Sequence, residues 1–406
     1  MLIDGSSIRF LASPRMCLIS TPGLSQNPAD GFCPKRKAVY MSKGAIAMAL
    51  VVASIFSTFT VPDARAQGLP GEQFQRLIDN AARVGVPGIV LYVQTWDGAV
   101  WSGAAGQTEL ENPQALTQDM SFRLHGLSMM PVAALALALV DDAKLGLDDR
   151  ISKWIDPLVI QNLPNANEIT IRDLISQTSG IREYFDEDFF YQVRLEPGRK
   201  WFPDELVAHA AIGEPQAAPG GDVSYFSNTN YTLLGLAIEK AGGATLATQL
   251  RTRIFEPLAM TSTKSWEESG EPPLVHGHVL MERYRIDVSD FDLSMFWGAG
   301  GLISTAEDVA KMTRGIFEGK ILSSAGRALM AKSFRVLSDT ELEYGYGTIR
   351  FRSIDPAPVG HVGEGAGFGT MTAWWPETGL IVVVLTNLQV ETYLGILEGL
   401  AKAVGQ

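Results

Sequence analysis

The chain has 406 residues, 46 % of them hydrophobic, and carries 33 Lys and Arg against 45 Asp and Glu, a formal net charge of −12. That acidity argues against nucleic acid and anionic membrane surfaces as partners, since both need a basic face. The length suits two subdomains around one cleft.

The N-terminal stretch reads as an address. Lys43 precedes an apolar run from Ala45 to Phe56, and Ala64-Arg65-Ala66 offers a small-x-small cleavage site before Gln67. This series predicts a secretory signal cleaved after Ala66, hence a periplasmic or secreted protein. Met41 stands directly before the signal, and residues 1–40 resemble no core, so translation from Met41 is expected. An uncleaved anchor is the alternative. Both cysteines, Cys17 and Cys33, fall within residues 1–66, so a chain starting at Gln67 has neither disulfide nor thiolate chemistry. Residues 1–66 hold seven Lys/Arg and three Asp/Glu. Their removal leaves 340 residues with 26 basic and 42 acidic groups, net −16, and no membrane span is expected after the cut.

A helix is predicted over Gly71–Arg83. Strands follow at Gly88–Gln94 and Ala99–Gly106, with Trp96-Asp97-Gly98 as the turn between them. A helix starting near Gly126 is apolar almost all round and should be buried. Residues 148–335 read as helices and long loops. Strands return at Tyr346–Phe351, Met371–Trp375 and Leu380–Leu385, and an amphipathic helix, Glu391–Val404, closes the chain. The pattern predicts an α+β fold in one domain, 67–406. An antiparallel sheet built from both chain ends, 67–147 and 336–406, carries flanking helices, and 148–335 forms a mainly helical part.

Three stretches are candidates for chemistry. The first runs from Phe122-Arg123-Leu124-His125-Gly126-Leu127-Ser128-Met129 to Asp148-Asp149. The second is Phe226-Ser227-Asn228, followed by Tyr231 and Leu233-Leu234-Gly235. The third is Gly360-His361-Val362-Gly363-Glu364-Gly365. Together with Gln177-Thr178-Ser179-Gly180 and Gly298-Ala299-Gly300-Gly301, and in this order, they resemble the penicillin-recognising serine enzymes. These are the class C β-lactamases, D-alanyl-D-alanine carboxypeptidases and related esterases. The resemblance covers roughly residues 80 to 390.

It implies a β-lactamase/transpeptidase-like fold and a Ser-x-x-Lys device at the start of the buried helix. Residues three apart on a helix share a face. The helix dipole favours the serine alkoxide, and a lysine left neutral by burial takes the proton. By this resemblance the nucleophile position is Gly126, the base position Met129 and the position of a proton-relaying tyrosine Phe226. Gly126 has no side chain, Met129 no exchangeable proton and Phe226 no hydroxyl. Loss of a nucleophile alone costs on the order of 10^4 to 10^6 in rate. No Ser-x-x-Lys occurs anywhere in the chain. Thr261-x-x-Lys264 is the nearest pattern, and no Gly-x-Ser-x-Gly elbow is present.

Asn228, His361 and Gly363 match the family, and the amides of Gly126 and Glu364 are the implied oxyanion hole. The expected ligand-binding set is therefore His125, Ser128, Asn228, His361, Gly363 and Glu364. His125 and Ser128, at i and i+3, also offer an alternative nucleophile pair. His276-Gly277-His278 lacks the cysteines and acidic cluster of a metal site, with only Glu282 near it in sequence, so no metal or cofactor is implied. Trp374, Trp375, Phe368 and Met371 read as packing, and Asp141, Asp142, Asp148 and Asp149 as solvated turn and capping groups. Three functions remain open. The chain is an exported non-catalytic protein binding a peptidoglycan-type or small acyl ligand, or a partner, through the cleft; a hydrolase with rearranged catalytic residues; or an interaction protein with a vestigial cleft.

Overall fold

The computed structural model describes residues 69–268, 275–281, 284–319, 321–389 and the pairs 395–396 and 399–400. The expected signal and its cleavage site lie outside the described residues. So does most of the expected closing helix Glu391–Val404.

The first helix, α1 (Gly71–Arg83), buries Phe74, Leu77, Ile78 and Ala81, the i, i+3, i+4, i+7 stripe of an amphipathic helix. It covers one face of the sheet. The strands are β1 (Gly88–Gln94), β2 (Val100–Gly106), β3 (Phe122–Arg123), β4 (Val223–Ser224), β5 (Lys264–Ser265), β6 (His278–Met281) and β7 (Tyr284–Asp287). They continue with β8 (Leu302–Ser304), β9 (Arg335–Leu337), β10 (Glu343–Tyr344), β11 (Ile349–Arg350), β12 (Val359–Gly365), β13 (Phe368–Trp374) and β14 (Ile381–Thr386). The main sheet runs β2-β1-β14-β13-β12-β11-β10-β9-β4. Every pairing is antiparallel except β4 with β9, which brings a short parallel edge from the middle of the chain. Apart from that edge strand the sheet is built from the two chain ends, and β4, β9, β10 and β12 add four strands to the five read from the sequence.

At its centre β1 and β14 are covered on both faces, which explains their unbroken apolar runs. Ile381, Val383 and Leu385 face one core with Val90 and Tyr92. Val382 and Val384 face the other with Ile89, Leu91 and Val93. Ile396 and Leu400 join that second core beside α1.

The remaining helices named here are α2 (Met129–Asp141), α3 (Ile171–Ile175), α4 (Glu187–Leu195), α5 (Pro203–Ala210), α6 (Asn228–Gly242), α7 (Leu246–Leu250), α8 (Ala306–Phe317) and α9 (Ser324–Lys332). Helix α2 has eleven buried residues, Met129 through Leu139, in keeping with its all-round apolar sequence. It is the hub of the fold and packs against α6, α7, α8 and α9. Although α8 falls in the segment read as the helical part, it belongs to the sheet. It lies on β1, β13 and β14, Phe317 stacks on Trp374 at 4.4 Å, and the Thr313 and Thr372 hydroxyls are 2.8 Å apart.

The four aspartates near the end of α2 are all engaged. Asp141 accepts from Ser323, Asp142 pairs with Arg253, Asp148 with Arg172 and Asp149 with Lys153. None of the helices among the described residues is long and apolar enough to cross a membrane.

Candidate functional site

The chain enters α2 through a 3-10 turn, His125–Ser128, and β12 lies directly against this turn. The contact is backbone on backbone. A Cβ added at Gly363 would sit 1.9 Å from the Leu124 carbonyl oxygen and 2.7 Å from the Leu127 nitrogen, so only glycine allows this approach. Gly126 faces the same strand: a Cβ there would meet the Val362 carbonyl oxygen at 3.1 Å, the Gly363 Cα at 3.5 Å and His361 Cε1 at 4.0 Å. The structure therefore brings Gly126, His361 and Gly363 together.

One turn further, the Met129 thioether sits fully buried in a polar nest. The Tyr344 hydroxyl and the Gln177 amide nitrogen each approach its sulfur at 3.7 Å. Gln177 Oε1 accepts from the Ser227 backbone N–H at 3.0 Å and from the Asn230 side-chain amide, tying the 226–230 segment to Met129. Tyr344 also lies 3.2 Å from the Tyr231 hydroxyl, which donates to the Ile175 carbonyl.

His361 completes the nest. Its Nδ1 is 2.6 Å from the Val362 carbonyl, an acceptor only, so Nδ1 carries the proton. Nε2 then accepts from the Tyr344 hydroxyl at 3.2 Å. Burial holds the imidazole neutral, pushing its pKa down to about 4 against the pull of the Val362 carbonyl. Burial likewise raises the Tyr344 and Tyr231 hydroxyls above their ordinary range.

Two expected ligand contacts are corrected. His125 adopts a left-handed φ of 45°, which turns its ring into the core instead of the cleft. The ring packs edge-on against Phe296 at 4.8 Å and beside Phe368 at 5.8 Å, and neither ring nitrogen has a hydrogen-bond partner. Burial, with Arg123 close by, pushes its pKa down to about 3. Ser128 is also buried, its hydroxyl accepting from the Leu302 backbone N–H at 3.3 Å. A His125–Ser128 nucleophile pair has no geometry here, and neither side chain reaches a surface.

Of the other expected residues, Asn228 is the half-buried first residue of α6. Phe226 is 38 % exposed. The Glu364 side chain is exposed, and by strand alternation it lies on the sheet face opposite His361 and Gly363, which leaves its backbone as the part facing the turn. Lys264 of the Thr261–Lys264 pattern is exposed on β5, away from any nucleophile partner role. His276 bonds Asp287 at 2.6 Å. The buried His278 has Nδ1 3.1 Å from the Asn387 carbonyl oxygen. Among the described residues no group of three His, Cys, Asp or Glu is placed to hold a metal ion.

Sequence reasoning missed Tyr344; Gln177 and Tyr231 served it only to mark the family frame, and Glu183, which accepts from the Asn228 backbone N–H at the start of α6, went unnoticed. The segment read as a strand from Tyr346 to Phe351 is broken instead by a turn at Gly345–Thr348, between β10 and β11. Gly347, at φ 71°, lies so close to α2 that a Cβ would meet Ala133 at 2.2 Å. The paired glycines around Tyr346 were the available signal that this segment crosses another element.

Comparison with known proteins agrees with this architecture. Penicillin-binding protein 4* of Bacillus subtilis is 24 % identical over 303 residues, covering 71 % of this chain; the chain spans 65 % of that protein's length. Esterase EstB of Burkholderia gladioli is 26 % identical over 364 residues, covering 79 % of this chain and 88 % of the esterase. Among solved structures, D-amino acid amidase from Ochrobactrum anthropi SV3, in complex with D-phenylalanine, superimposes with a TM-score of 0.74 at 22 % identity, covering 82 % of this chain and 98 % of the amidase. The family model described as Beta-lactamase matches residues 74–404, and the chain belongs to that family of serine-hydrolase-like proteins.

Proposed function

We propose that this chain is an exported, non-catalytic member of the family that binds a small acyl or peptidoglycan-type ligand at the remnant of the catalytic cleft. One observation carries the reading. Position 126, where the family resemblance places the nucleophile, has no side chain and little room for one, because the Val362 carbonyl stands 3.1 Å from where a Cβ would be. Beside it the base position holds the Met129 thioether, which accepts hydrogen bonds and donates none. The exposed Phe226 supplies no hydroxyl. Acyl transfer needs an activated nucleophile, and none of these three residues provides one.

The polar lining supports binding. Asn228 remains at the rim, and Gln177 joins the rim segment to the buried nest. The relatives are described as penicillin-binding proteins and an esterase, and a structural neighbour was solved with D-phenylalanine. Acyl and amino-acyl compounds are therefore the ligands to try first. Export rests on Lys43, the apolar run and Ala64-Arg65-Ala66.

Reversible binding should raise the melting temperature with ligand concentration. A panel of D-amino acid amides and D-alanyl-D-alanine peptides, read by thermal shift, checks this. Asn228→Ala should abolish the shift while the unliganded protein still melts cooperatively. If Asn228→Ala responds to every ligand as the parent does, the cleft is not the binding site.

A further inference from the structure

Gln177 follows α3 and is fully buried, with a left-handed φ of 60°. That backbone is unfavourable for residues other than glycine, asparagine or aspartate. It gives Gln177 a double hold on one short segment. The Gln177 backbone carbonyl accepts from the Tyr225 N–H at 2.7 Å, and its Oε1 accepts from the Ser227 N–H at 3.0 Å. One residue therefore fixes both neighbours of Phe226. Further bonds secure the same stretch. The Ser224 hydroxyl donates to the Ser176 carbonyl at 2.9 Å, the Phe226 carbonyl accepts from the Gln216 amide at 3.4 Å, and the Ser227 hydroxyl donates to the Arg182 carbonyl at 3.1 Å.

None of these bonds shelters the Phe226 ring. It is 38 % exposed and belongs to neither hydrophobic core, and among the described residues no aromatic ring packs on it. Water contact disfavours such a ring, and a slack segment would fold it onto apolar surface. Here the backbone on either side is tied down and the ring stays out. A strained, buried residue that holds an aromatic side chain in solvent spends stability on a surface set in advance for contact.

That surface stands at the degenerate site. Gln177 Nε2 donates to the Met129 sulfur at 3.7 Å, so the residue that fixes Phe226 also touches the base position. Asn228, the polar residue of the rim, opens α6 in the same segment. A ligand whose polar group meets Asn228 finds a flat apolar face close by.

We propose that Phe226 determines the specificity of the cleft, as a platform for a planar aromatic group of the ligand, and that Gln177 is its positioning residue. The assignment rests on the reading that this cleft binds ligand. It narrows the ligand class to acyl or amino-acyl compounds that carry an aromatic ring.

Calorimetric titration with three neutral probes tests it: N-acetyl-D-phenylalaninamide, N-acetyl-D-cyclohexylalaninamide and N-acetyl-D-alaninamide. The first two differ in the planarity of one ring, and the third lacks the ring. The parent should bind the phenyl probe about three- to tenfold tighter than the cyclohexyl probe, as ring-on-ring packing implies. Phe226→Leu should bring the two within about a factor of two, and Phe226→Tyr, which keeps the ring, should retain the preference. Gln177→Asn tolerates the left-handed backbone but is one methylene short of Ser227, and Gln177→Met keeps the length without the acceptor. Whichever of these two melts cooperatively should lose the preference while its affinity for the alanine probe holds. A purely structural role would lower all three affinities together and leave the ratio unchanged, which overturns the role of Gln177. Equal binding of the phenyl and cyclohexyl probes by the parent, or a preference that survives in Phe226→Leu, overturns the platform and leaves the cleft reading standing. Silence of all three probes overturns both.

Discussion

Gly126→Ser, Met129→Lys and Phe226→Tyr introduced together should create slow hydrolysis of an activated ester such as p-nitrophenyl acetate, while Gly126→Ser alone shows almost none. The serine supplies only an unactivated hydroxyl. A positioned general base contributes about 10^2 to 10^4 in rate, so the triple variant should exceed the single one by that factor. The nest around Met129 favours the required state of the lysine. The Gln177 amide nitrogen approaches the sulfur as a donor, while the Tyr344 hydroxyl, whose proton goes to His361, presents its oxygen there. A neutral amine can accept from Gln177 and donate to Tyr344, and full burial disfavours the ammonium. The obstacle lies at position 126, where the new Cβ needs the Val362 carbonyl to move by a few tenths of an ångström. That strand is fixed by the contact of Gly363 with the 124–127 backbone, so the variant should be less stable than the parent. A steady-state assay of the parent, single and triple variants decides the matter. A triple variant that folds and binds ligand yet stays as inactive as Gly126→Ser means that the cleft has diverged beyond the three positions.

Acid should destabilise the fold before its carboxylates titrate. His125 and His361 are buried and neutral, with pKa values near 3 and 4, against about 6.5 in an unfolded chain. Between those limits the unfolded state binds more protons, so stability is complete above about pH 6.5 and falls as the pH drops. At pH 5 each histidine removes about 2 kcal/mol, about 4 kcal/mol together. His209 and His278 are shifted down by burial too and act in the same sense. Glu183 and Glu239 oppose them, since burial raises both carboxyls and the folded state takes up their protons first. Urea unfolding at pH 7 and pH 5 measures the net slope. His125→Asn removes one titrating ring with a residue that tolerates the left-handed backbone, and it should remove about 2 kcal/mol of the difference between the two pH values. An unchanged slope in that variant would mean that His125 titrates normally and is not buried as described.

The fold was legible where burial leaves a period in the sequence. Helix α1 and strand β1 fall where their patterns place them, because one apolar stripe meets one sheet face and a strand covered on both faces reads as an unbroken run. The position of α2 was legible for the same reason. The site was legible only as far as motif order extends: Gly126, His361 and Gly363 do converge. Tyr344 was not legible, nor was the contact of Gln177 with Met129 although motif order marks that glutamine, because the two reach Met129 from 215 and 48 residues away. The error at His125 has a different origin. Its side-chain direction is set by a positive φ at a non-glycine residue, which composition and spacing do not encode. Glu183 was overlooked because a carboxylate in a charged stretch reads as solvated, whereas here it meets the start of α6.

The central claim is that this family scaffold forms no acyl-enzyme. Incubation of the purified protein with a fluorescent penicillin and, separately, with a fluorophosphonate, followed by intact mass measurement, addresses it directly. The account predicts an unchanged mass with both reagents. A mass increase of one reagent equivalent, mapped to any residue of the 125–128 turn or of β12 and the segments packed against them, would contradict it.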